Sequence, residues 1–390
     1  MKIEIFGNPT LSNKKIKSED LVKIGLPDDI IKYSEKFNGS WGIILKMENY
    51  IYMFTDPLGQ EQLYYNEKTK KYSNKILDLV DKEYDKQYFS EISKWGYNTD
   101  DRTPWKDIKR VMPGQVVIFS PTGIFFKNIY NEYYEKAFEE IKDIDIKTLI
   151  HTAVENQIKQ LKNVDSIGML ISGGIDSSII AYELLNIKEN TDLLKDTEIH
   201  FYTINNSEDA PFVKIFQEKF NIEVKTLSYS LDNIDWKKVF TINETPVDLG
   251  SMIPNQKMFE AVPETIIFTG DGPDEMFGGY RRIDEYDSQL SDIFEELSFY
   301  HLPRLNKAAM YYNKKLIAPY LDKSIVAFAI HQKFMDRCHK KCLKNAYIND
   351  IPYEIICRPK VPLKNDDIRN NPIEYRLRAI NNFIDSLKIK

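Results

Sequence analysis

Apolar residues change their rhythm along this chain of 390 residues. Up to about residue 125 they come in short runs broken by turn residues, at 43–45, 50–54 and 116–119. Runs of that length and spacing predict a strand-rich first region. The segment 128–144, dense in charges and tyrosines, reads as a connection. From about residue 146 the spacing becomes helical: Leu149, Ile150, Val154, Ile158 and Leu161 fall on one face. Three apolar runs then stand out, at 167–171, 200–204 and 265–269, separated by helical patterns such as 212–220. Strands alternating with helices predict an α/β unit built on a parallel sheet. Beyond about residue 285 the pattern reads as mostly helical, with Lys315 a solvated lysine on one of those helices.

The run at 167–171 leads into Ser172-Gly173-Gly174-Ile175-Asp176-Ser177-Ser178 and then into the apolar stretch 179–185. That order reads as strand, glycine turn, helix. Glycines let a backbone approach an anion, and a helix start presents free N–H groups at the positive end of its dipole. Ser177 and Ser178 add two hydroxyls. Asp176 is out of place beside phosphate unless a divalent cation stands between them. The chain holds no G-x-x-x-x-G-K-[ST] string, so this is not a Walker loop. The run at 265–269 leads into a second glycine turn, Gly270-Asp271-Gly272-Pro273-Asp274-Glu275, followed by Met276 to Arg282. Carboxylates this close repel unless a cation or solvent separates them. In a parallel sheet both turns lie at the carboxyl ends of strands, where ligands bind. Asp176 and Asp274 can then face one Mg²⁺, with phosphate oxygens and water completing the octahedron.

The first of these turns resembles the PP-loop of ATP pyrophosphatases. Together, SGGIDSS and TGDGPDEMFGGYRR resemble the synthetase domain of asparagine synthetases and of their relatives, the β-lactam and carbapenam synthetases and lasso-peptide cyclases. Leu302 to Met310 (LPRLNKAAM), Ala318 to Asp322 (APYLD) and Arg358-Pro359-Lys360 are similar to later motifs of that family. In the first region, Asn38-Gly39-Ser40-Trp41-Gly42, the stretch Asp56 to Tyr65, and Ile108 to Gln115 resemble the family's glutaminase domain. The resemblance covers residues 35 to about 365. It implies two domains. Residues 1–130 would be a degenerate glutaminase-like domain of Ntn-hydrolase type. Residues 140–390 would be an ATP-binding synthetase domain with the adenine nucleotide α-hydrolase-like fold.

The resemblance also implies roles. Ser172, Gly173, Gly174, Asp176, Ser177, Ser178 and Gly270 would hold ATP, and Asp176 and Asp274 would hold Mg²⁺. Lys360 would stabilise charge on the phosphates. Asp271 would deprotonate or orient an incoming amine, or only support the metal shell. Arg304 would reach a substrate carboxylate or the nucleotide, or only pack its helix. The strand at 199–204 would wall the adenine. The implied reaction is AMP- and pyrophosphate-forming amide synthesis, on a small-molecule carboxylate with ammonia or an amine. Intramolecular lactam or macrolactam closure is the alternative.

Departures qualify this. The family's glutaminases use a cysteine directly after the initiator methionine, whereas this chain reads Met1-Lys2-Ile3 and has cysteines only at 338, 342 and 357. Without a thiolate that route to ammonia closes. The family's E-A-R before its VPFLD motif is Lys315-Leu316-Ile317 here, and the chain ends sooner after the late basic motif than most asparagine synthetases do.

Composition narrows the field further. A net charge of −6 gives no general footprint for nucleic acid, which weighs against a tRNA-modifying PP-loop ligase. Intact phosphate motifs weigh against a catalytically inactive scaffold. No apolar stretch approaches the roughly 18 residues of a membrane span, and the start Met1-Lys2-Ile3-Glu4 lacks a signal-peptide core. Three cysteines suit a reducing, cytoplasmic setting. Cys338, His339 and Cys342 form one cluster in a basic run, too little for a zinc site. Assembly into a homo-oligomer is left open.

Overall fold

The computed structural model describes residues 1–80, 83–129, 132–161, 164–205, 208–228, 234–279, 294–359 and 371–387. In its first region five strands pair antiparallel, in the order Lys2–Gly7, Trp41–Lys46, Ile51–Thr55, Gln115–Ser120, Gly123–Asn128. Successive side chains point to opposite faces of a strand. Ile43, Leu45, Phe54 and Val116 accordingly join one apolar cluster, while Ile44, Met53, Val117 and Phe119 join another. A three-stranded sheet, ordered Tyr72–Ser73, Tyr64–Asn66, Ile108–Arg110, adds Tyr65 to the second cluster.

The second sheet is parallel, in the order Val224–Leu227, Glu198–Ile204, Ser166–Leu170, Ile266–Phe268, Lys315–Ile317. Both faces are covered, as parallel sheets require. Ile167, Met169, Phe201 and Phe268 pack with Ile150 and Val154 of the helix Ile146–Lys159 and with Ile179 and Ile180 of the helix Ile175–Asn190. Leu170, Tyr202 and Ile267 pack on the other side with Phe259, Leu305 and Ala308, from the helices Leu249–Ala261 and Leu302–Tyr311. The chain builds three strands outward in one direction, then crosses back and adds two on the other side. Its direction reverses between Ser166–Leu170 and Ile266–Phe268. A reversal of this kind opens a crevice at the carboxyl ends of the strands.

Three expectations change. Lys315 lies on an edge strand, not a helix, and burial pushes its pKa down. The strand Val224–Leu227 carries only two apolar residues and shows no run in the sequence. The segment read as a connection contains the helix Tyr133–Ile141.

The two regions are joined closely. Asn38 donates to the Asp322 carboxylate (2.6 Å) and accepts from the Lys323 N–H (3.0 Å). The C-terminal helix Pro372–Ser386 sets Phe383 against Trp105 and Phe89 of the first region and Phe240 of the second.

Candidate active site

The first glycine turn leaves the strand Ser166–Leu170 and enters the helix Ile175–Asn190. Gly173 holds φ at +65°, and a Cβ there would lie 2.8 Å from Phe212 Cβ and 2.9 Å from the Val213 nitrogen. Only glycine tolerates both the conformation and the approach. Ser177 Oγ donates to the Gly174 carbonyl (3.2 Å) and accepts from the Ser172 N–H (3.1 Å), closing the loop on itself. The N-cap, Gly174, supplies no side-chain hydrogen bond to the helix start. No cap side chain covers the positive dipole end, which favours an anion there. Ser178 Oγ is fully buried there and has no hydrogen-bond partner among the described residues.

The second turn meets the first. A Cβ on Gly270 would fall 2.6 Å from the Ser177 nitrogen and 2.7 Å from Ser177 Cα. The turn thus lies backbone against backbone on the start of the helix. Gly272, at φ +114°, brings the turn onto Leu321 and Tyr320. Tyr320 is fully buried, and its hydroxyl donates to the Asp176 carbonyl (3.1 Å). The segment Pro319–Leu321 therefore supports both turns at once.

Asp176 and Asp274 come together around a lysine that sequence reasoning missed. Lys340 Nζ donates to Asp176 Oδ2 and to Asp274 Oδ1, each at 2.5 Å. The two carboxylate oxygens are therefore no more than about 5 Å apart, against the span of about 4 Å or less that two ligands at about 2.1 Å on one cation need. Burial alone would lower the Lys340 pKa, but the charges and hydrogen bonds of Asp176 and Asp274 outweigh it and hold the pKa above the ordinary lysine value. The backbone bends to deliver this side chain. His339 and Lys340 both hold positive φ, at 54° and 58°, and the Lys340 N–H donates to the Phe277 carbonyl (2.8 Å). The only sequence signal was the basic run His339-Lys340-Lys341 in an acidic chain. Among the described residues no group of three or more His, Cys, Asp or Glu forms a metal cage, around Cys338 and Cys342 or elsewhere.

The remaining expected residues fall as follows. Asp271 is half-buried on the turn between Gly270 and Gly272. Arg304 lies 2.8 Å from Asp248 and 2.6 Å from His301 Nδ1, and the other ring nitrogen of His301 is 3.2 Å from Glu275. A π-helical segment, Leu297–His301, precedes Arg304's helix. Arg304 thus reaches the acidic turn through His301, and it borders a cavity of about 30 Å³ with Tyr64, Arg110, Asn243 and Tyr300. Arg358 donates to the Ser172 carbonyl (2.9 Å), pairs with Asp209 (2.5 Å) and stacks on Phe212 at 4.3 Å. The late basic motif therefore begins beside the first turn. Lys360, and the tail Tyr280 to Arg282 of the second motif, lie outside the described residues.

Residues 145–304, which span both turns and Arg304, match the family model described as asparagine synthase. That stretch is similar to an asparagine synthase domain. Two relatives extend the match. A sequence of Methanocaldococcus jannaschii, provisionally named asparagine synthetase 1 (glutamine-hydrolyzing), is 25% identical over 224 residues, covering 53% of this chain and 39% of its own. The glutamine-hydrolyzing asparagine synthetase of Gallus gallus is 23% identical over 243 residues, covering 55% of this chain and 42% of its own. The chain thus spans about two fifths of the length of these relatives. Among solved structures, the U34-tRNA thiolase NcsA of Methanococcus maripaludis aligns over 68% of this chain and 83% of its own, at 15% identity and a TM-score of 0.30.

Proposed function

We propose that the chain is an ATP-dependent amide synthetase that forms AMP and pyrophosphate. It adenylates a small-molecule carboxylate and passes the acyl group to ammonia or an amine. The observation that carries this reading is the meeting of the two glycine turns at the sheet's reversal point, with Asp176 and Asp274 both on the Lys340 ammonium. A carboxylate is a poor acyl donor because its leaving group would be oxide. Its oxygen attacks the α-phosphorus and expels pyrophosphate; the amine then attacks the acyl carbon and expels AMP.

In this reading the chain's own groups divide the work. The start of the helix Ile175–Asn190, with Ser172, Gly173, Gly174, Ser177 and Ser178, cradles the pyrophosphate, and Ser178 gains the hydrogen-bond partner it lacks. Asp176 and Asp274 would hold Mg²⁺, which when bound supplies neutralising charge to the phosphates. Gly270 lets the second turn seat against the start of that helix, on the nucleotide's α-phosphate side, and Lys360 stabilises charge as the phosphate bond breaks. Asp271 stands at the mouth of the turn to take the proton of the incoming amine or to orient it. Arg304 positions the acidic turn through His301 and Glu275.

Residues 1–130 contain no cysteine, so this region is proposed as a structural support without glutamine hydrolysis, and ammonia or amine comes from solution or from substrate.

The test is pyrophosphate release from ATP across a panel of carboxylates, with and without ammonium. The expected result is release that depends on one acid and is matched by AMP, and that falls at least about a hundredfold in Asp274→Asn with the fold retained. Release of ADP and phosphate, or unchanged turnover in Asp274→Asn, overturns the assignment.

A further inference from the structure

Lys340 is an expensive residue to build. An ammonium buried to 5% exposure must be compensated, and two consecutive non-glycine residues must hold left-handed backbone to put it there. Its position is also specific. The same nitrogen contacts one carboxylate from each turn, the two acids already assigned to the cation. Gly279 adds to the enclosure, since a Cβ there would fall 2.8 Å from Lys340 Cε and closer still to the Asp274 carboxylate. Without a positive charge between them, Asp176 and Asp274 would repel and the turns they terminate would be pushed apart.

We propose that Lys340 is a built-in counter-ion. It neutralises Asp176 and Asp274 while the nucleotide is away, and the divalent cation arriving with the nucleotide displaces its ammonium from between them. A free cation must evict a buried ammonium and leave that charge unpaired. A cation carried on a triphosphate brings new acceptors, the phosphate oxygens, to which the displaced ammonium turns. Cation and nucleotide therefore bind with strong positive coupling, and Lys340 is the positioning residue that creates the coupling. This rests on the reading of the site as a metal–nucleotide site.

The test is Mn²⁺ binding to the full chain, read by electron paramagnetic resonance of free Mn²⁺, with and without a non-hydrolysable ATP analogue, after subtracting the Mn²⁺ that the same analogue binds without protein. Wild type is expected to take up Mn²⁺ only with the analogue, with Mn²⁺ affinity changing by at least about a hundredfold between the two conditions. In Lys340→Met, which keeps the length and drops the charge, Mn²⁺ affinity without nucleotide rises at least about tenfold and the coupling shrinks. Lys340→Arg keeps the charge and the coupling. Wild-type protein that binds Mn²⁺ equally well in both conditions overturns the counter-ion role, whatever the variants do, and so does unchanged coupling in a folded Lys340→Met. Wild-type protein that binds neither analogue nor Mn²⁺, alone or together, overturns the metal–nucleotide reading itself.

Discussion

At the scale of single residues, the two loop glycines Gly174 and Gly270 look alike in sequence and differ in what they are for. Gly174 holds ordinary extended backbone (φ −86°, ψ 159°), and a Cβ there would meet only Ser172 Oγ at 3.4 Å. Gly270 has the start of another helix against its Cα. Gly174→Ala is therefore expected to cost less than about 1 kcal/mol of stability, the ordinary penalty of alanine at an N-cap. Gly270→Ala must push one turn off the other. It is expected to cost about 1–3 kcal/mol and to abolish pyrophosphate release. Denaturant midpoints of the two variants, with the release assay, check this. Equal and small effects would mean that the turns do not touch.

At the scale of elements, the helix Leu302–Tyr311 joins the two regions. Its Lys307 pairs with Glu244, both almost fully buried, and lies 4.8 Å above the Tyr64 ring. Glu244 reaches across the seam as well, accepting from the Leu77 N–H (3.1 Å). Lys307→Ala strands a buried carboxylate and is expected to cost about 3–5 kcal/mol, while adding Glu244→Gln recovers part of that loss. Urea unfolding of the single and double variants measures the difference; a single-variant cost below about 1 kcal/mol would deny the pair its place in the seam. The edges of the parallel sheet were the least legible elements in sequence. The strands Ser166–Leu170 and Ile266–Phe268 are wholly apolar or nearly so and announced themselves, and the turns after them carried glycines and acids at informative spacing. The strands Val224–Leu227 and Lys315–Ile317 are short edge strands with charged or polar residues, so no period marks them. Lys340 was hidden for a different reason. Its role comes from left-handed backbone at two ordinary residues and from carboxylates 66 and 164 positions away, and neither fact has a local signature.

At the scale of the whole molecule, the seam also holds acids that the fold prefers uncharged. Asp56 is fully buried; burial raises its pKa to about 6 against the pull of four backbone N–H groups, from Trp41, Leu58, Gln60 and Glu61. Glu61, hydrogen-bonded by Ser40 (2.9 Å), is raised to about 7, first by burial and further by the Asp56 charge, with Lys307 opposing. Asn306 donates to the Gln60 carbonyl between them, so both acids belong to the junction of the regions. The direction of the linkage follows. A carboxyl whose folded pKa lies above its unfolded value binds its proton more tightly in the folded protein. Its contribution to stability is complete below the unfolded pKa, near 4, and is lost as pH rises through the folded pKa, so here the loss runs from about pH 4 to about pH 7. Glu61→Gln replaces the titrating group with a neutral amide. The stability of the variant minus that of wild type is therefore expected to climb between pH 4.5 and 7, by on the order of 2 kcal/mol after allowance for partial exposure, and to be flat above pH 8. Unfolding midpoints at half-unit pH steps read that curve. A difference that stays level from pH 4.5 to 7 would mean that burial does not raise the Glu61 pKa, and would deny the acid its place in the junction.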